Sequence, residues 1–193
     1  FGNLVSGPCF PYTTPGQDEC SEGVAIDNIY IPALKRTCAY WFTKQRKSFR
    51  VAEGSWWLSQ LGRVRDGRYG ALIEMALRGP VIGLYFPTAL QGFGISAARD
   101  IVARLPYGFS LAGVKEVMAA MVGYPRLFIG GEFVPKFDCA AITVGEGHTL
   151  SLAKGVGGDL VLQRRAFDPD PTSSPGLVYV GTPPDLQRVL PGF

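Results

Sequence analysis

The sequence predicts an α+β fold in which helices come first and strands last. Three observations carry that expectation. Apolar residues make up 47% of the chain and charged residues 18%, a balance that supports a packed core rather than disorder. The 25 glycines and 15 prolines cut the chain into short segments joined by turns. Helix-spaced apolar residues lie mainly in the middle, whereas short apolar runs of strand length gather towards the end. Alternating βα units are not seen. A length of 193 residues allows one sizeable domain with a hydrophobic core.

Taken in order, Cys9 and Cys20 bracket Phe10, Pro11, Tyr12, Pro15 and Gly16, which predicts a rigid, turn-rich opening loop. Residues 29–32 read as a short extended piece and residues 48–51 as the start of a strand. The first clear helix spans 68–78, where Leu72, Ile73, Met75, Ala76 and Leu77 supply an apolar face and Gly79-Pro80 ends it. Val81 to Phe86 (VIGLYF) has the length of a buried strand. Helices are expected over 95–105 and over 111–121 (LAGVKEVMAAM), the latter rich in helix formers and stopped by Gly123-Tyr124-Pro125. Residues 127–129 resume extended structure. Strands follow over 140–144, 160–163 and 177–180, the last two separated by a Pro/Asp/Ser-rich loop. From Thr182 a proline-punctuated tail is expected to lie along the surface or against a neighbour.

Net charge is +3, unevenly placed. Lys44, Arg46, Lys47, Arg50, Arg63 and Arg65 form a basic stretch that offers an acidic partner a contact. No stacking-aromatic motif of an RNA-binding sheet accompanies it, so nucleic acid is not the expected partner. The four cysteines fit no zinc spacing, and the single histidine, His148, cannot build a histidine-rich centre, so no metal and no cofactor are expected. No apolar run is long enough to span a bilayer, and no leader is visible ahead of Phe1, which reads as the middle of a longer protein.

Several separated stretches, taken in order, resemble one family. Cys9-Phe10-Pro11-Tyr12-Thr13 with Cys20, then Cys38 and KQRKSFRV (44–51), ALIEMALRGPVIGLY (71–85), DCAAITVGEG (138–147) and LSLAKGVGGDLVLQRR (150–165) are similar to papain-like cysteine proteases, nearest the cathepsin B and cathepsin C branches. Residues 87–125 and the tail beyond Phe167 have no counterpart. The resemblance implies a papain-like fold, mainly the C-terminal β-barrel-like lobe with packed helices, with the N-terminal part of the domain missing. Residues 1–167 would form that partial domain, with a helical insertion at 88–124, and 168–193 a Pro-rich C-terminal extension.

The same resemblance implies lost catalysis. The nucleophilic cysteine and oxyanion-hole glutamine would precede Phe1. The family's histidine position carries Cys139, and its asparagine position carries Gly155. A thiol does not relay protons near neutral pH as an imidazole does, and glycine has no side chain to orient one. Cys9 is the implied disulfide partner of Cys38, leaving Cys20 free or bonded to another chain. The expectation is a pseudo-peptidase that serves as a structural or interaction subunit among other protein chains. The family's origin suggests a secretory, lysosomal or extracellular setting, with an organellar assembly as another. Two alternatives stay open. YPRLFIGGEF (124–133) resembles the proline strand and Gly-Gly turn of glutaredoxins, with Cys38 as the redox thiol. The chain is otherwise a peptidase half, active only with a separate N-terminal chain.

Overall fold

The computed structural model describes residues 7–16, 22–43, 48–52, 60–63, 67–128, 135–155 and 157–181. The chain first lays down strand β1 (Phe10–Thr14), whose alternation turns Tyr12 and Thr14 inward and Pro11 and Thr13 outward. It then forms one continuous helical rod: α1 (Glu22–Ala25), a π-helical turn (Ile26–Tyr30) and α2 (Ile31–Phe42). Residues 29–32, expected to be extended, are therefore helical. Pro32 sits in the first turn of α2, and the backbone N–H of Ile31 reaches back to the Ile26 carbonyl. A proline ring clashes with the carbonyl four residues earlier in a regular helix, and the wider π turn ahead of it makes room. The wide turn also keeps one face in register. Steps of four overshoot a 3.6-residue turn by about 40° each, which would rotate a long row off the core. Here Glu22, Ile26, Tyr30, Leu34, Cys38 and Phe42 are nevertheless all buried.

Among the described residues the strands form two larger sheets, one two-stranded pair and no closed barrel. The first sheet runs β1, β4 (Val81–Phe86), β11 (Leu177–Tyr179), β5 (Phe109–Leu111), with every pair antiparallel. The second runs β10 (Ser173–Ser174), β6 (Lys136–Asp138), β8 (His148–Lys154), β9 (Leu160–Ala166), β2 (Phe49–Val51), parallel at its two outer pairs. β3 (Leu61–Arg63) pairs with β7 (Ile142–Val144). Gly145 and Gly147, both at positive φ, turn the chain from β7 into β8.

Two segments read from sequence as additions are interior parts of this architecture. Residues 88–124 supply β5 and the central helix α5 (Val114–Gly123). Residues 168–181 supply β10 and β11, and β11 lies between β4 and β5. The expected helix from Leu111 starts instead at Val114, because Phe109, Ser110 and Leu111 pair with β11. The expected strand at 127–129 is replaced, as far as Phe128, by the short helix α6 (Pro125–Phe128). The tail from Thr182 lies outside the described residues.

Helix α3 (Arg68–Arg78) falls where its apolar spacing places it, with Tyr69, Leu72, Ile73 and Ala76 inward. Its first residue ties down the chain that follows α4 (Ile95–Val102). The Arg68 guanidinium donates to the carbonyls of Ala103, Leu105, Pro106 and Phe109 at 2.7–3.2 Å. These include acceptors that the end of a helix leaves without intrahelical donors. Arg68→Ala is expected to cost about 2 kcal/mol, the order of a charge-assisted hydrogen bond lost at a half-exposed site. The shift of the urea midpoint at constant slope measures it.

Candidate functional site

Helix α5 is apolar nearly all round, as a helix in the middle of a domain should be. Two charged residues, Lys115 and Glu116, nevertheless lie on it, 1% and 0% exposed. They face a polar cluster drawn from four further elements. Glu116 Oε2 accepts the Gly113 backbone N–H at 3.0 Å, closing the helix start. The same oxygen lies 3.3 Å from the Tyr69 hydroxyl of α3. Tyr69 donates its one proton to Glu22 Oε1 of α1 at 2.7 Å, and Lys115 Nζ lies 4.0 Å from that oxygen. The Tyr12 and Tyr30 hydroxyls and Glu116 Oε1 are buried here with no hydrogen-bond partner among the described residues.

Burial is the main physical cause of every shift in this cluster. It pushes the Glu116 carboxyl above the ordinary carboxylate range, and neighbouring Glu22 reinforces it, against the opposing pull of Lys115. Burial likewise holds the Tyr12, Tyr30 and Tyr69 phenols upward, with Glu116 adding to each. The arrangement can store and relay a proton between two carboxyl groups through a phenol. Almost fully covered, it does not present them to a substrate. The signal for it was legible: a Lys-Glu pair inside LAGVKEVMAAM is a charge pair in a helix that has no polar face. Glu22 and Tyr69, distant in sequence, gave no such sign.

A second polar network joins the β6–β9 sheet to the loop before β10. Arg165 of β9 bonds Asp138 of β6 at 2.9 Å, Asp138 being fully buried. Arg165 also donates to the Asp168 carbonyl and lies 3.9 Å from Asp170. Asp170 in turn accepts from Lys136, Thr172 and Ser173. Burial outweighs the guanidinium and lifts Asp138 to about 6. The hydroxyl and amide of Thr172 hold Asp170 well below the usual range.

The residues singled out from sequence are scattered. Cys139 follows β6, is fully buried, and gives its N–H to the Leu150 carbonyl at 2.8 Å. Gly155 lies at the far end of β8, five residues beyond Leu150 and so about 17 Å along the strand. The space a side chain would take at Gly155 is filled by Val161. The two positions are not brought together. His148, at the other end of β8, has Nδ1 within 2.7 Å of the Glu146 carbonyl.

Cys9 is half-buried before β1, and Cys38 faces the core from within α2. Both are free thiols in this structure, so the implied pairing is not formed here. Cys38 is seven residues into α2 rather than at a helix start, and burial lifts its thiol to about 11. Pro125 opens helix α6 and not the glutaredoxin-like strand. Cys20, Lys44, Arg46, Lys47 and Arg65 lie outside the described residues; Arg63 ends β3 and Arg50 is exposed on β2. Among the described residues no helix is long and apolar enough to cross a membrane. No family model, curated protein or solved structure matches this chain.

Proposed function

We propose that this chain is a non-catalytic, papain-like scaffold acting as a structural or interaction subunit of a larger protein assembly. The observation that carries the reading is the state of the thiols. Sulfur chemistry needs an accessible thiolate of lowered pKa. Cys139 is sealed in the core, where burial raises its thiol well above the ordinary value, and Cys38 is raised in the same direction. The redox alternative needs the opposite shift at Cys38. The outer surface, by contrast, carries apolar side chains suited to contact: Ile82 is 70% exposed, Tyr40 79% and Tyr107 84%. Tyr40 packs edge-on against Trp41, and the Arg126 guanidinium lies over the Trp41 ring at 4.7 Å. Such aromatic and arginine groups are enriched where proteins bind proteins.

Alkylation with iodoacetamide, mapped by peptide mass spectrometry, tests the chemical half of this reading. In the native protein Cys9 should label ahead of Cys38 and Cys139, which should label only in denaturant. Fast native labelling of Cys139, or ready glutathione exchange at Cys38, would count decisively against it. The assembly half predicts that the protein, in native extracts of its own source, migrates above its monomer mass. Migration at the monomer mass would remove that half.

A further inference from the structure

The buried cluster around Glu116 has a proton count that its geometry constrains. Tyr69 owns one hydroxyl proton and has two carboxyl oxygens in reach, Glu22 Oε1 at 2.7 Å and Glu116 Oε2 at 3.3 Å. The shorter contact takes the proton. Two carboxylates cannot both be served by one donor, so the longer contact becomes a hydrogen bond only when Glu116 carries a proton of its own and donates it to the Tyr69 oxygen. Glu116 Oε2 still accepts from Gly113, as a hydroxyl oxygen can. The order is then Glu116 to Tyr69 to Glu22, with Lys115 beyond.

We propose that a protonated Glu116 is a latch: through Tyr69 it fastens Glu22, and with it the helical rod Glu22–Phe42, to α5 and α3, and loss of that one proton releases the rod. The groups that face Glu116 come from every side. They are Tyr12 of β1, Glu22 of α1, Tyr30 of the π turn, Tyr69 of α3, Lys115 of α5 and Cys139 after β6. Of these, Glu22 is the second carboxyl group and Lys115 the amine, and the remaining four are phenols and a thiol. An ionised Glu116 puts a negative charge in the buried interior beside the Glu22 carboxyl, and the phenolic oxygens of Tyr12 and Tyr30 are turned to the same interior. The yielding element is the rod, because Glu22 stands near its start on the four-residue helix α1. The other carboxyl is anchored inside α5. The folded form holds this proton more tightly than the unfolded chain, so the latch is closed at low pH and opens as pH rises through the Glu116 transition.

Hydrogen exchange of the intact protein, followed by mass spectrometry and corrected for the intrinsic pH dependence of amide exchange, reads the latch directly. Peptides within 22–43 should lose protection by up to tenfold per pH unit, one proton per opening, as pH rises from the ordinary carboxyl value to the Glu116 transition, and level off above it, a loss additional to any that peptides of β8 and β9 show through Asp138. Glu116→Gln removes the titrating proton, and because the one terminal atom that meets both Tyr69 and Gly113 becomes either a donor or an acceptor, one of the two contacts is lost; protection of 22–43 should fall by a constant amount and vary with pH no more than that of β8 and β9. An equal response of rod and sheet, or an unchanged response in Glu116→Gln, overturns the proposal. Infrared spectra of the wild-type protein provide an arm that does not depend on the variant folding well. A carboxylic-acid C=O band from an unexchanged buried group should be present below the transition, after glutamate-specific isotope labelling, and disappear as pH rises through it. Its absence also overturns the proposal.

Discussion

Gly113→Ala is expected to lose about 4 kcal/mol of folding stability, because a Cβ here makes a closer approach than at any other described glycine. An ideal Cβ at position 113 would stand 2.1 Å from the Tyr69 hydroxyl, 2.6 Å from the ring carbon bearing it and 2.8 Å from Glu116 Oε2. Real Cβ atoms do not come that close, so a neighbour has to move. Neither neighbour moves cheaply. Tyr69 is fully buried and its hydroxyl is committed to Glu22, whereas Glu116 is fixed by the Gly113 N–H on its own helix. Overpacking a core costs about 1–3 kcal/mol. Separating the phenol from a buried carboxylate adds about 1–3 kcal/mol for the polar group left behind. Backbone strain contributes nothing, because Gly113 has φ −95°, open to any residue. The loss is thus steric and polar. Urea titration should show a lower midpoint with an unchanged slope. The double variant Gly113→Ala/Tyr69→Phe should recover part of the loss, since it removes the hydroxyl nearest the new methyl. A midpoint for Gly113→Ala within 0.5 kcal/mol of the parent (about the size of a neutral surface change) would show that this junction is not tightly packed.

The same junction explains what could and could not be read from the sequence. The α+β class followed from local signals. Leu72, Ile73 and Ala76 repeat at helical spacing, Gly79-Pro80 cannot continue a helix, and VIGLYF has no polar residue to expose. Elements fixed by such local chemistry stand where expected: α3 over 68–78 and β4 over 81–86 coincide with the reading. What failed was set by partners far along the chain. Phe109, Ser110 and Leu111 have no alternation of their own and become a strand because β11, some 67 residues later, bonds to them. Pro32 suggested extended backbone, and a π turn absorbed it. Residues 168–181 read as an extension because the family resemblance has no counterpart for them, although the strand expected at 177–180 stands as β11. Leu177, Val178 and Tyr179 are nonetheless buried between β4 and β5. The polar cluster was half legible. A charged pair in an all-apolar helix demands partners, but nothing local says that a glutamate 94 residues earlier supplies one.

Asp138 and Arg165 supply the second large effect, and here the dependence on pH separates the causes. Arg165→Met removes the partner of a fully buried carboxylate and should cost about 3–5 kcal/mol at neutral pH. Part of that comes from the loop, since Arg165 also donates to the Asp168 carbonyl. The cost should shrink in acid, where Asp138 is neutral and no longer needs the guanidinium. In the parent chain burial already holds Asp138 at about 6, against an ordinary value of 3.8. The folded state therefore binds this proton more tightly than the unfolded state. Its contribution is complete below the unfolded value, falls as pH rises from about 4 to 6, and is constant above. A shift of two units corresponds to about 3 kcal/mol. Asp170 acts with the opposite sign and in a lower window, because its folded value is depressed: it supports the fold above its unfolded value and ceases to do so as pH falls. Glu116 slopes in the same sense as Asp138, so the parent profile alone does not isolate either. Asp138→Asn does. It leaves a neutral polar side chain of the same shape, and subtracting its urea-derived stability from the parent's at pH 4, 5, 6 and 7 should give a difference changing by about 3 kcal/mol, nearly all of it below pH 6. A difference that stays level across that range would mean that the guanidinium, not burial, governs Asp138. The network would then be a stabilising ion pair that acid weakens, with the order of the two forces reversed.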